Sequence, residues 1–326
     1  MPFTVGARYT GLERLAVEFS DQWHLLGHDV TLLAHKDTAF PDGVKQLPCD
    51  GYETIQRPIH AEMVAFQRYQ HVVRNYDVIW DIGHLHLISR FMTNMPTVNV
   101  FSANPEYEKK AGSIKAPYNL VSWSKWGVRQ IRRWYGQESV YQETIMVDPE
   151  IYKPSGKRSD RWLTLGRMSP PKGNLNALRL CKNLGVPIDV AGGRGSEVAK
   201  GQDLRDYEKA IMDECDGDKY RFLGEVSDEE KVKLMQTCKG LIYCTDHTEI
   251  TSHKVQEAMI CGTKVIVPNL GGMPEIVTNG IDGYLCNTTD EYAMAIMNID
   301  KLQPEKTYEA VKNKYSPKVV AGDYIK

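Results

Sequence analysis

The chain lacks most of the features that would place a protein at a glance. Its seven cysteines, Cys49, Cys181, Cys215, Cys238, Cys244, Cys261 and Cys286, are spread out and none forms a Cys-x-x-Cys pair. That pattern argues against a disulfide framework or a zinc site and reads as reduced thiols in a cytoplasmic protein. No apolar run approaches the roughly 20 residues of a membrane helix. The first fifteen residues, MPFTVGARYTGLERL, carry charge early and hold no apolar signal core, so secretion is not expected. Forty basic residues against 42 acidic ones leave a net charge of −2, with no positive field to argue for nucleic acid. No His/Asp/Glu cluster has ligand spacing, so no metal is expected. No Gly-x-Gly-x-x-Gly follows a predicted strand with an acidic residue about 20 positions later, which disfavours a dehydrogenase.

What remains is an ordinary globular composition, 42% hydrophobic and 25% charged over 326 residues, long enough for two domains with separate cores. The second half alternates strand and helix. Strands are predicted at 161–165, 186–190, 220–223, 241–244 and 264–267. Helices are predicted at 175–184, 204–215, from the capping-box sequence Ser227-Asp228-Glu229-Glu230 to about Thr237, and at 252–260. The first half repeats this less cleanly. Helices are expected at 12–26, 61–74 and 126–135, and strands at 29–34, 77–82, 97–101, 119–122 and 140–146. Strict alternation implies parallel crossovers, and so an α/β fold of two doubly wound, Rossmann-like domains divided near residue 155. Ligands of such sheets bind at the carboxyl ends of the strands, here expected to line a cleft.

Two segments carry chemistry. Gly166-Arg167-Met168-Ser169-Pro170-Pro171-Lys172-Gly173 follows a strand and holds two cations between glycines. A guanidinium fork and a lysine point charge together can neutralise a diphosphate; the alternative is a surface turn with solvated cations. The second is Glu249 to Met259, with Glu249 before a helix that Thr251 or Ser252 would cap, and Glu257 inside it on the face of His253. A helix amino end offers N–H groups to an anion, and flanking carboxylates accept sugar or ribose hydroxyls; the alternative is a charged solvated helix. In the first half, Asp81 and His84 fall at a strand end, a ligand-facing edge, whereas His86 reads as structural. Asn99, Ser102 and Asn104 are weaker candidates for the same side.

Taken with Ala191-Gly192-Gly193-Arg194-Gly195, Phe222-Leu223-Gly224, Gly271-Gly272-Met273-Pro274-Glu275 and Asn279-Gly280-x-x-Gly283, these segments resemble the retaining GT-B glycosyltransferases of family 4. Gly11-Leu12-Glu13-Arg14, Leu26-Gly27-His28-Asp29-Val30, Asp77 to Asp81 and Val147 to Tyr152 resemble that family's first helix, second strand, acceptor-side strand and linker, and Tyr315 to Val320 its terminal helix. The resemblance implies a GT-B architecture: residues 1–155 as acceptor-side domain, 156–310 as nucleotide-sugar domain, and 311–326 as a helix crossing back. It implies transfer of a hexosyl-type sugar from a nucleotide sugar to an acceptor hydroxyl with retention, without a cofactor or obligatory metal. Arg167 and Lys172 would bind the donor diphosphate, Glu257 the ribose, Glu249 the hydroxyls of the transferred sugar, and the Thr251 and Ser252 backbone the phosphates. Gly11, Gly166, Gly193 and His253 would line the donor, while Asp81 and His84 would contact substrate.

Two other readings stay open: a different GT-B sugar-nucleotide enzyme such as an epimerase, and a non-catalytic nucleotide-sugar-binding subunit, since only about Pro2 to Ala7 precede the glycine loop. The segment Trp123, Lys125, Trp126, Arg129, Arg132 and Arg133 is basic and aromatic. It would suit peripheral contact with an anionic membrane and a lipid-linked acceptor; the alternative is a helix on the sheet with a solvated basic face.

Overall fold

The computed structural model describes residues 11–34, 38–48, 58–92, 94–102, 117–193, 202–303, 308 and 311–326. By contacts the chain forms two compact units. Described residues up to Met146, with Val320–Lys326, make the first, and Val147–Val319 make the second. The division thus falls a few residues before the expected 155.

The first unit holds a two-stranded parallel sheet, β1 (Thr31–Ala34) with β2 (Lys45–Pro48), and a four-stranded parallel sheet in the order β3 (Ile79–Asp81), β4 (Thr97–Phe101), β5 (Leu120–Ser122), β6 (Ser139–Tyr141). Helix α1 (Gly11–Leu25) carries Phe19 and Trp23 into an aromatic cluster with Trp80 of β3 and Tyr324. The Phe19 and Trp80 ring centroids are 4.6 Å apart. The Trp23 indole N–H donates to the Ala321 carbonyl at 3.0 Å, which satisfies its polar end inside apolar surroundings. Several expected elements are shorter, two of them in the first unit by more than a turn or a strand pair. The strand at 140–146 stops at Tyr141, because β6 is the edge strand and its three residues use up the pairing that β5 offers. The helix expected to Arg74 ends at Tyr69 (α2, Pro58–Tyr69), and a separate turn at Val73–Asn75 buries Val73. The short α3 (Leu87–Phe91) and β2 had no clear periodic signal.

Helix α4 (Lys125–Tyr135) starts at Ser124, whose hydroxyl accepts from the Gly127 N–H at 3.0 Å, and ends at Gly136. Ile131 turns inward onto Phe101 and Leu120, while Lys125, Arg129, Arg132 and Arg133 are exposed. Trp123 is a correction to the membrane-facing set: it is buried in the turn before the helix, so its indole faces no lipid.

The second unit is one parallel sheet of six strands. It is built from β7 (Trp162–Leu165), β8 (Ile188–Ala191), β9 (Tyr220–Gly224), β10 (Leu241–Ile242), β11 (Val265–Pro268) and β12 (Gly283–Cys286), in the spatial order β12-β11-β10-β7-β8-β9. Its crossover helices are α5 (Asn174–Leu184), α6 (Gln202–Glu214), α7 (Asp228–Thr237) and α8 (His253–Ile260), followed by the short α9 (Met273–Ile276) and then α10 (Thr289–Asn298). The capping box at Ser227 and Glu230 forms as expected. Helix α5 buries Leu175, Leu178 and Leu180 against a core with Trp162, Val190, Ile242 and Ile266; each such leucine contributes roughly 1.5–3 kcal/mol.

The order of the strands has one functional consequence. The chain runs outward from β7 through β8 to β9, then returns to lay β10 on the other side of β7. The crossovers after β7 and β10 therefore diverge to opposite faces. The loops that leave these two neighbouring strands stand side by side, at the point where such sheets bind ligands.

Candidate functional site

Those two loops are residues 166–173 and 243–252, the segments singled out from the sequence. They are stitched together. The Thr245 hydroxyl donates to the Pro171 carbonyl at 2.6 Å, and Asn176 Nδ2 donates to the Cys244 carbonyl. Gly173 has φ +67°, and a Cβ there would stand 1.9 Å from the Cys244 carbonyl oxygen. Gly271, in the loop after β11, has φ +59°, and its Cβ would lie 2.1 Å from the Glu249 carbonyl oxygen. Glycine is required at both places because backbone meets backbone there. The loop after β11 thus lies against the Glu249 peptide, with the Gly272 N–H donating to its carbonyl at 3.0 Å.

Lys172 and Glu249 meet across the two loops as a hydrogen-bonded ion pair, each largely shielded from water. Burial pushes the Glu249 carboxyl up. Lys172, Lys254 and the Tyr243 hydroxyl outweigh it and hold the group below the usual carboxylate range. Lys254 approaches from beneath. Its ammonium is 3.4 Å from the Tyr243 ring centroid, and burial depresses it to about 7, against the pull of Glu249 and with the push of Lys172.

Arg167 projects from the same loop, exposed, with no polar partner among the described residues. Gly193 ends β8 beside it, its carbonyl accepting from the Met168 N–H at 2.8 Å, so Gly166, Arg167, Lys172 and Gly193 share one sheet edge. Ser252 is the N-cap of α8 but makes no side-chain cap bond, and Thr251 and His253 flank it. The first N–H groups of an eight-residue helix lack intrahelical acceptors and carry the positive end of its dipole. Glu257 stands one turn on. Its Oε1 accepts from the Tyr152 hydroxyl at 2.9 Å and from Lys231 Nζ at 3.0 Å. The structure therefore gathers nine expected donor residues within the second unit: Gly166, Arg167, Lys172, Gly193, Glu249, Thr251, Ser252, His253 and Glu257.

The remaining candidates belong to the first unit. Gly11 opens α1. Asp81 is folded into its own loop: Oδ1 accepts from the Gly83 N–H at 2.8 Å and lies 3.7 Å from Nδ1 of buried His86. Burial raises that carboxyl, but His86, the Gly83 N–H and Arg90 bring it below its ordinary value. His84 is exposed, and its N–H donates to Glu62, which also receives the Leu85 N–H. Asn99 is buried and donates to Thr97 and to the Tyr118 carbonyl. Asn104, Arg194, Gly195, Gly6 and Cys49 lie outside the described residues.

Three residues escaped the sequence reading. Tyr152 and Lys231 become partners of Glu257 only through tertiary contact. Lys254 left a trace, since a lysine at the spacing of buried Ala258, next to buried Val255, sits on the apolar side of its helix. Among the described residues no group of three or more His, Cys, Asp or Glu is placed to hold a metal ion, and no helix is long and apolar enough to cross a membrane.

Comparison with known proteins gives a consistent result. Residues 149–316 match the family described as Glycosyl transferases group 1. A probable sucrose-phosphate synthase of Thermosipho melanesiensis is 31% identical over 133 residues, 39% of this chain and 31% of that protein. A D-inositol 3-phosphate glycosyltransferase of Mycobacterium ulcerans is 28% identical over 166 residues, 46% of this chain and 35% of its own. The chain thus spans about a third of the length of these curated relatives. Among solved structures, Anabaena HepE in complex with UDP superposes with a TM-score of 0.76 at 14% identity, covering 100% of this chain and 98% of its own. Sucrose-phosphate synthase from Thermosynechococcus elongatus superposes with a TM-score of 0.78 at 15% identity, covering 98% and 94%. These neighbours are GT-B glycosyltransferases, and the α/β fold with parallel sheets is theirs.

Proposed function

Because the chain belongs to the glycosyl transferases group 1 family, we propose that it transfers a hexosyl group from a nucleotide sugar to an acceptor hydroxyl with retention of anomeric configuration. The observation that carries this reading is the Lys172–Glu249 pair at the switch point between β7 and β10, beside exposed Arg167 and the amino end of α8. HepE was solved with UDP, in line with a nucleoside diphosphate leaving group.

In the reaction, the bond from the anomeric carbon to the diphosphate oxygen breaks, the acceptor oxygen bonds to that carbon, and the acceptor's hydroxyl proton passes to the departing diphosphate. Negative charge grows on the departing diphosphate. Arg167, Lys172 and the first N–H groups of α8 meet it with positive charge, which lowers the barrier. Glu249, kept ionised, accepts hydroxyls of the transferred sugar. Glu257, with one oxygen held by Tyr152 and Lys231, presents the other to the ribose. On the first unit, exposed His84 is our candidate for acceptor contact, and Asp81 shapes the loop that carries it.

The test is a panel of UDP-, GDP- and ADP-sugars with sugar and lipid-linked acceptors, the product linkage being read by NMR. Transfer with the donor's anomeric configuration, undiminished by EDTA, is expected. Donor binding without turnover on any acceptor would favour the binding subunit instead, and epimerised sugar without acceptor would favour the epimerase.

The described cysteines are unpaired thiols, which suits a cytoplasmic site of action. Peripheral membrane contact, in this proposal, uses Lys125, Arg129, Arg132 and Arg133 with Trp126. Each cation near an anionic surface contributes about 1 kcal/mol. Changing Arg129, Arg132 and Arg133 together to glutamine is expected to lower partitioning onto phosphatidylserine vesicles by roughly two orders of magnitude. Wild-type protein that stays in the supernatant when such vesicles are sedimented would sink the membrane proposal.

A further inference from the structure

Lys254 has no part in the reaction as argued so far, yet it lies within the same group of charges. It is the second residue of α8 (His253–Ile260), and its side chain passes under the turn that leaves β7. Its Nζ is 3.4 Å from the centroid of the Tyr243 ring and 3.1 Å from where a Cβ on Gly166 would stand. An ammonium there has given up most of its hydration, and the face of the ring returns part of the loss. Three titratable groups face it: Glu249 from the loop before α8, Lys172 from the turn after β7, and Tyr243 from the end of β10. Glu249 therefore has two ammonium groups within charge reach, and it is bonded to Lys172.

That arrangement solves a problem the donor site creates. A diphosphate needs Lys172, but a lysine drawn away from a buried carboxylate leaves an uncompensated charge behind. We infer that Lys254 is the standing counter-cation of Glu249, a positioning residue that frees Lys172 to leave the carboxylate and engage the donor diphosphate. The inference rests on the donor-site reading above and deepens it. Lys172 moves between two anions, and Lys254 keeps Glu249 ionised and in place while it does so.

The experiment is calorimetric titration of the whole chain with UDP, using wild type, K254M, E249Q and the double variant. Methionine keeps the unbranched stem and its packing on Tyr243 but removes the charge. K254M is expected to weaken UDP at least tenfold, because Glu249 then holds Lys172 as its sole nearby cation. E249Q is expected not to weaken it. The double variant should bind like E249Q, and this recovery also shows that the methionine is accommodated. A pH series adds a second readout. The protonated amine is the competent form and its ionisation lies at about 7 in the free protein, so its contribution is complete at low pH and fades as pH rises past that point. The ratio of wild-type to K254M affinity, in which titration of the UDP phosphate cancels, should fall toward one between pH 7 and 9.

Wild-type binding with an unchanged K254M, or a double variant as weak as K254M, overturns the role of Lys254 and leaves the donor site standing. A wild-type chain that binds none of UDP, GDP and ADP overturns the donor-site reading, and the role of Lys254 with it.

Discussion

Lys172→Ala is expected to lower the rate of sugar transfer by about 10²–10³-fold, the usual effect of removing one preorganised charge from a developing anion. The loss has two sources in this structure. The diphosphate loses a cation, and Glu249 keeps Lys254 but loses its bonded partner, so less positive charge faces the incoming anion. Arg167→Ala tests the other half of the pair more cleanly. Arg167 is exposed and makes no polar contact among the described residues, so its removal should change unfolding stability by under about 0.5 kcal/mol. It should nonetheless weaken nucleoside diphosphate binding by about 1.5–3 kcal/mol, the value of a charged hydrogen bond. Lys209→Ala, exposed on α6 and paired with Asp213, serves as the control. Calorimetry and steady-state rates that leave Arg167→Ala and the control indistinguishable would remove Arg167 from the site.

The second large effect is on folding. Gly173→Ala should destabilise the second unit by about 3 kcal/mol or more. The left-handed backbone alone costs an alanine roughly 1–2 kcal/mol. The rest arises because the new methyl would sit on the Cys244 carbonyl oxygen, at 1.9 Å, and force apart the two loops that form the site. Gly136→Ala separates the contributions. Gly136 has the same φ of +67°, but nothing lies within 4 Å of its Cβ position, so only the backbone cost should appear. Urea unfolding of both variants measures the difference. Equal losses would mean that the close approach of the loops is not what holds them. Because the strain falls on the ion-pair loops, Gly173→Ala should also lower UDP affinity, while Gly136→Ala should not.

Much of this was readable before any coordinates. The alternation of buried strands with helices ended by glycine gave the class of fold, since these signals are local: period, caps and breakers act within one turn or one strand. Gly185 and Gly136 take the left-handed conformation where a helix end was expected. The capping box at Ser227 forms between residues three apart. Misreadings came where context overrides periodicity. The run 140–146 looks like a strand, but an edge strand extends only as far as its neighbour pairs with it, and β5 ends at Ser122. For Asp81, which the sequence places at a ligand-facing strand end, the structure adds the Gly83 N–H and His86 as neighbours in its own loop.

The candidate site divides in the same way. Its proposed diphosphate cations and hydroxyl-binding carboxylates, Arg167, Lys172, Glu249 and Glu257, could be named from the sequence, because residue type and spacing, read through a family resemblance, carry that proposal. That Lys172 rests on Glu249, that Lys254 lies behind both, and that Tyr152 and Lys231 grip Glu257 could not be named. Those relations join residues 26, 77 and 105 positions apart, or fold the start of α8 back onto the Tyr243 ring that follows β10. They exist because the chain reverses direction across the sheet and sets β10 against β7. Local periodicity specifies strands and helices one at a time; which loops become neighbours, and so which charges share one dielectric environment, is fixed only when the strands take their order in the sheet.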